Sequence, residues 1–274
     1  VQKTANGHGS PFIRGFTGYR VLSMIDGVRY NNSVYRDGPN EYFSLIDQYS
    51  IESLDLIGGP ASALYGSDAV GGVIYLDTLS ANWQQQTAGE SFVSWQQNLR
   101  YASAERSRVA NGRVSWGRGQ QWGALLSVTG RDYGDVVGAE VGTQRHTGYS
   151  EQSVHLRLDR AFNDHWQSTV VHQQLAQDDV WRTHSTRFAE PFAGTLAGDD
   201  QVRLKDQYRD LTYLKLTGRR LAAGIDQLMV TPLLFNLPRA ERLADILKAE
   251  AGDEWDEKTL KRVRSFFALS GAGV

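Results

Sequence analysis

Four residues between positions 35 and 42 combine charge and aromatic area in a short space: Tyr35, Arg36, Asn40 and Tyr42. Arginine offers charge-assisted, forked hydrogen bonds to anions, and tyrosine rings stack on flat partners. Such a set suits an anionic, planar chelate, and an ordinary polar surface loop has the same composition. The glycine-rich stretch Gly58–Leu76, GGPASALYGSDAVGGVIYL, raises the question of phosphate binding. It lacks the Gly-Lys-Ser/Thr ending of a phosphate loop, so its glycines read as tight turns. GYS at 148–150 is not a nucleophile elbow, and no carboxylate pair has a spacing useful for acid–base work. An enzyme is not expected.

Six histidines are scattered without ligand spacing, and His155, His172 and His184 read as solvated lumen or loop residues. Asp178-Asp179 and Asp199-Asp200 could meet calcium on outer loops, or keep a polar loop soluble. With no cysteine, disulfides, thiolate zinc sites and iron–sulfur clusters are excluded. No cofactor or resident metal is expected. A net charge of -2 gives no basis for nucleic-acid binding. No apolar run is long enough for a spanning helix, and no signal peptide opens the chain. The absence of an initial methionine points to a missing beginning.

Three textures divide the 274 residues. Residues 1–80 read as a small α+β unit: RVLSMIDGVRY as strand, Asp26-Gly27 turn, strand; SIESLDLIGG as a helical start and a strand; PASALYG as a helical turn with Pro60 at its first position; GGVIYLDT as a strand. Residues 81–221 alternate with period two. Val93, Trp95, Leu99 and Tyr101 share a face, as do Ala110, Val114 and Trp116, then Trp122, Ala124, Leu126 and Val128, then Val154, Leu156 and Leu158. The opposite faces carry Asn111, Arg113, His155, Arg157 and Asp159. Further strands are expected near 166–175 and 210–219, about six in all. Strands of about ten residues, alternating short and long connections, and Trp and Tyr near strand ends fit a transmembrane β-barrel with a water-filled lumen. A soluble sandwich also alternates. Residues 222–274 hold two amphipathic helical patterns, with Leu243, Ile246 and Leu247, then Leu260, Val263 and Phe267, as a tail of unrelated character.

The segment from Pro11 to Thr78 resembles the plug domain of TonB-dependent outer-membrane receptors. The matching pattern is Ile-Arg-Gly, Arg-Val-Leu with Ile-Asp-Gly, Ile-Glu, and Gly-Pro-x-Ser-x-Leu-Tyr-Gly-Ser-x-Ala-x-Gly-Gly before a strand. YRDGPNEY looks most like the haem and iron-chelate branches. The resemblance implies a plug within a 22-stranded barrel in the Gram-negative outer membrane. It implies a receptor that takes up a ferric siderophore, haem or a similar ligand, energised by a TonB-type partner and surrounded by outer-membrane lipid. Tyr35, Arg36, Asn40 and Tyr42 would then lie on an apical plug loop facing ligand. Arg14 would anchor the plug to barrel glutamates, and Gly58 stands where the family usually has a second anchoring arginine. The fold class expected is mainly β: a partial plug over 1–80, a partial antiparallel barrel over 81–221 and a helical tail, incomplete at both ends. An inactive gene fragment and a soluble β binding module with a helical tail are the alternatives.

Overall fold

The computed structural model describes residues 7–30, 42–140, 142–181, 196–199, 204–222, 225–231 and 233–234. Two sheets dominate it. The first is small and mixed, in the order β2-β1-β4-β3. It comprises β1 (Val21–Ile25), β2 (Val28–Arg29), β3 (Ile51–Gly58) and β4 (Gly72–Thr78). β1 and β4 run parallel, with Val21 opposite Gly72, and the other pairs are antiparallel. Apolar residues occupy both parities of β1, so both its faces are buried. Val21 and Ile25 pack with Ile13, Tyr30, Ile74 and Leu76; Leu22 packs with Ala61, Ala69 and Val73. Asp26 and Gly27 turn β1 into β2 with φ of 52° and 88°, the paired positive values of a type I′ turn.

The glycine-rich stretch makes close packing possible. A Cβ on Gly71 would come within 2.4 Å of the Phe16 Cβ, and one on Gly72 would meet the Ile57 carbonyl oxygen at 2.4 Å. The Gly59 N–H bonds the Gly71 carbonyl at 3.0 Å, closing the loop on itself. Between them, α1 (Ser62–Tyr65) starts two residues after Pro60, with Ala61 as its N-cap.

The second sheet is the wall. Its long strands are β5 (Ser91–Ala102), β6 (Ser107–Arg118), β7 (Trp122–Tyr133), β10 (Tyr149–Ala161), β11 (Trp166–Trp181) and β12 (Leu204–Ala222). Neighbours are antiparallel, and the order is β13-β12-β11-β10-β7-β6-β5. β8 (Val136–Gly138) and β9 (Gly142–Gln144) form a separate hairpin in the long β7–β10 connection. The sheet runs beyond residue 221, where the helical tail was expected to begin. β13 (Ile225–Val230) and β14 (Leu233–Leu234) both pair with β12. A short apolar run such as ILE-x-x-Leu-Met-Val is ambiguous between helix and strand until an edge pairs with it. The helical patterns after residue 234 lie outside the described residues.

Alternation sorts the wall into two faces. Register places Tyr101, Arg108, Asp132 and Ser150 in one outward row, and Trp95, Val114, Leu126 and Leu156 in another nearer the short turns. Next come Val93, Trp116, Ala124 and Leu158, then Ser91, Arg118, Trp122 and Arg160. The apolar rows are thus bounded by polar and aromatic rows at both ends. Arg108 to Arg118 is about 33 Å along a strand. At a tilt of about 40° that is about 25 Å of depth, the height of an outer-membrane apolar band. Trp95 is 78% exposed on this face.

Candidate functional site: the plug–wall interface

The opposite face of the wall is polar, and Asp26, Val28 and Asp47 of the plug pack against it. Many of its polar residues bond a neighbouring strand or the plug. Asn111 donates to Ser127 Oγ and Thr129 Oγ1, both at 2.9 Å. Gln207 donates to Gln177 Oε1 at 3.1 Å and Arg209 to Gln173 Oε1 at 2.6 Å.

Asp47 is the centre of the contact. It precedes the single 3₁₀ turn Gln48–Ser50, and its Oδ1 accepts the Tyr49 N–H at 2.9 Å, an ordinary cap. The same carboxylate reaches the wall. Arg131 of β7 donates to it, as do Ser153 of β10 and Thr129, the last at 2.7 Å. The other Arg131 nitrogen donates to Glu151, which Gln177 also reaches at 2.7 Å. All three charged side chains are at most 7% exposed. Burial pushes the Asp47 carboxyl up, but the Arg131 charge and the Ser153, Tyr49 and Thr129 donors outweigh it and hold the group below its ordinary value.

Asp26 makes a second contact. Its carboxylate accepts the Thr78 N–H at 2.8 Å, the Thr78 hydroxyl at 2.6 Å and the Tyr213 hydroxyl of β12. The hairpin turn between β1 and β2 is thereby bound to the wall. Nearby, Arg157 donates to the Thr78 carbonyl at 3.3 Å and to Asp159, and His155 Nε2 lies 3.2 Å from the Leu79 carbonyl. Val28 supplies the apolar part of the contact, packing on Val171, Leu211 and Tyr213. Gly123 leaves room for Trp83, whose Cβ and ring atoms lie 2.7–2.9 Å from where a Cβ would be.

The expected site residues fall elsewhere. Tyr35, Arg36 and Asn40 lie outside the described residues. Tyr42 is half-buried; its ring packs on the plug core, and its carbonyl accepts the Tyr30 hydroxyl. Arg14 is exposed, with φ of 50°, and its guanidinium lies 3.8 Å from where a Cβ of Gly58 would be. It makes no ion pair among the described residues, and the ion pair from plug to wall is made by Asp47. His155 and His172 cannot share a ligand, because register places them on opposite faces: Gln173 pairs with His155, and His172 pairs with Leu156 and bonds Thr212 at 2.8 Å. His184 lies outside the described residues. The Asp179 N–H donates to Asp206 Oδ1 at 3.0 Å, and Asp200 is not described. No group of three His, Asp or Glu side chains among the described residues is placed to hold a metal ion.

Residues 1–73 match the family model of the TonB-dependent receptor plug domain. Asp26, Val28 and Asp47, which meet the polar face of the wall, lie within the match. Residues 1–73 thus carry a TonB-dependent receptor plug domain, and the chain as a whole resembles the TonB-dependent outer-membrane receptors. It resembles the vitamin B12 transporter BtuB of Vibrio vulnificus, 26% identical over 185 residues, 68% of this chain and 27% of the relative. The BtuB of a second strain is 32% identical over 174 residues, 62% of this chain and 26% of the relative. The alignments are longer than the plug, so they take in wall strands as well. The chain spans about a quarter of the length of these curated relatives. Among solved structures, the copper transporter OprC superposes with a TM-score of 0.66 at 13% identity, over 84% of this chain and 32% of that one. The FrpB iron transporter of Neisseria meningitidis gives 0.60 at 15% identity, over 77% and 32%. At such identities the likeness is one of fold: plug, then antiparallel barrel strands. The likeness places the chain among outer-membrane β-barrel proteins of the Gram-negative type.

Proposed function

We propose that this chain serves as an outer-membrane receptor for a scarce metal chelate, a ferric siderophore, haem or a similar complex, with uptake energised by a TonB-type protein. The observation that carries the reading is the buried Asp47–Arg131–Glu151 group, which fastens plug to wall. A contact of this kind keeps a pore shut at rest. Separating one charge from a buried pair costs about 3–5 kcal/mol, so the plug does not leave spontaneously, and opening needs outside work. The Asp26–Tyr213 bond lies on a second patch of the same interface and adds to that cost.

In this reading Tyr35, Arg36 and Asn40 face the ligand, with arginine on its anionic groups and Tyr35 on its flat ones, and Tyr42, packed on the plug core, offers only its exposed edge. Arg14, exposed beside Gly58, serves as a further anchor towards wall residues not described here. No covalent step is involved, and the protein is not an enzyme. Cobalamin is the second ligand to test, favoured by relatives named as vitamin B12 transporters.

Uptake by cells producing the protein tests the proposal. Labelled ferric siderophores, haemin and cyanocobalamin are offered with and without a protonophore. One of them should accumulate only in producing cells, and the protonophore should abolish it. Accumulation that survives the protonophore, or none with any chelate, overturns the reading.

A further inference from the structure

The short hairpin turns of the wall lie at its periplasmic end, as in outer-membrane barrels generally. There a cleft of about 440 Å³ opens between the segment leaving the plug and two of those turns. Trp83 and Gln84 of the segment form one side. The β6–β7 turn with Gln120 and Gln121 and the β10–β11 turn at 162–165 form the rest, and Arg219 of β12 stands at the rim. The volume is that of a small-molecule site. The walls are fixed before anything binds. The Gln120 N–H donates to the Trp83 carbonyl at 2.9 Å, and the Ala161 N–H to the Gln121 carbonyl at 2.8 Å. Asn163 Oδ1 accepts the N–H groups of His165 and Trp166, both at 2.9 Å. A ligand there meets a surface that needs little ordering.

The lining is amide, aromatic and balanced in charge. Gln84 donates to Gln167 Oε1 at 3.0 Å, which leaves the Gln84 oxygen as an acceptor and the Gln167 amide protons as donors. Phe162 presents an aromatic face at 59% exposure. Asp164 and Arg219 are exposed, and neither side chain bonds or pairs with another described residue. An anion would meet Asp164, a cation would meet Arg219, and an apolar ligand would strip water from the amides. An extended peptide would find no free strand edge, because both turns close paired hairpins. A pyranose meets all of these groups well. Each hydroxyl is donor and acceptor at once, as each amide is, and the C–H face of the ring lies on an aromatic face. Adjacent hydroxyls take a carboxylate or a guanidinium in charge-assisted hydrogen bonds.

We propose that this cleft binds a hexose-based oligosaccharide at the periplasmic rim of the wall. One sugar ring lies on Phe162, its hydroxyls bond Gln84, Gln167 and Asp164, and the next ring extends towards Arg219. The site is separate from the fastening group, because Arg131 stands near the other end of β7. Neutral glucans and N-acetylated amino-sugar glycans share the chemistry the cleft recognises. The placement in the periplasm rests on the membrane assignment of the wall, and the binding itself does not.

Isothermal titration calorimetry of the full chain, purified in a detergent without a sugar headgroup, tests it with laminaritetraose, tetra-N-acetylchitotetraose and tetraglycine as probes. At least one of the two oligosaccharides should bind, at least tenfold more tightly than tetraglycine. Tighter binding of laminaritetraose assigns neutral glucans as the source, and tighter binding of the chitotetraose assigns amino-sugar glycans. Phe162→Ala and Asp164→Asn, both at exposed turn positions, should each weaken that binding at least fivefold with the circular dichroism spectrum unchanged. Binding of neither oligosaccharide, equal binding of tetraglycine, or full binding by both variants overturns the proposal. The two variants should leave chelate uptake by cells unchanged, so a failure here is distinct from a failure of the uptake reading.

Discussion

Replacing Arg131 by methionine keeps most of the side chain's length and removes its charge. Asp47 and Glu151 then face each other, at 7% and 5% exposure, without the cation that held both. The Tyr49 N–H, Ser153, Thr129 and Gln177 still donate, so the loss is chiefly the compensating charge. Breaking a buried pair in this way costs about 3–5 kcal/mol. With about 1.4 kcal/mol per factor of ten, the plug should leave the wall about a hundred to a few thousand times more often. The chain contains no cysteine, so one introduced thiol reports on one place. Val171→Cys is suited to this, because Val171 is fully buried on the wall under Val28 of the plug. Its alkylation rate tracks the population of the undocked state when docking is fast relative to labelling. The expected acceleration in Arg131→Met is at least a hundredfold at neutral pH. It should shrink as pH falls, because the docked carboxylates then take up a proton that relieves their repulsion. An acceleration below threefold, or one that does not diminish in acid, refutes the assignment of Arg131 as the fastening charge.

Other outcomes follow from the same contacts. In the wild type the Asp47 carboxyl is held below its ordinary value, so its contribution to docking is complete above about pH 4 and declines as pH falls below that. Val171→Cys labelling, taken relative to the same thiol in the denatured chain at each pH so that the falling thiolate fraction cancels, should therefore quicken below pH 4. Tyr213→Phe removes one donor from the buried Asp26 carboxylate and leaves Thr78; labelling should quicken by about 1.5–3 kcal/mol equivalent, ten- to a hundredfold. Gly72→Ala places a Cβ 2.4 Å from the Ile57 carbonyl oxygen at φ of 153°; overpacking of about 1–3 kcal/mol should appear as protease sensitivity in residues 7–78 with the wall strands protected.

Much of this arrangement is written locally. The Asp26-Gly27 turn, the period-two strands from Phe92 to Arg219 and the plug motif each depend on neighbours a few residues apart, and all are legible in the chain. The fastening group is not, because its members are distant. Asp47 and Arg131 are 84 residues apart, and Asp26 and Tyr213 are 187 apart. No spacing rule connects them, and Asp47 read alone is simply a cap. The one available signal is that Arg131 and Glu151 share the polar parity of adjacent strands, which brings them opposite each other once register is known. The polar face itself misleads for a related reason. Arg, His, Gln and Asp suggest water, and only the packed structure reveals that another sheet supplies their partners.

The most direct test concerns which face of the wall meets lipid. Two variants that each retain one of the seven tryptophans, Trp95 or Trp83, with the rest changed to phenylalanine, can be placed in bilayers containing brominated acyl chains. Trp95, 78% exposed on the apolar face, should be strongly quenched, and Trp83, 5% exposed and packed on Gly123 at the polar face, should not. Quenching of Trp83 with Trp95 spared would contradict the seating of the plug on the polar face of a transmembrane sheet.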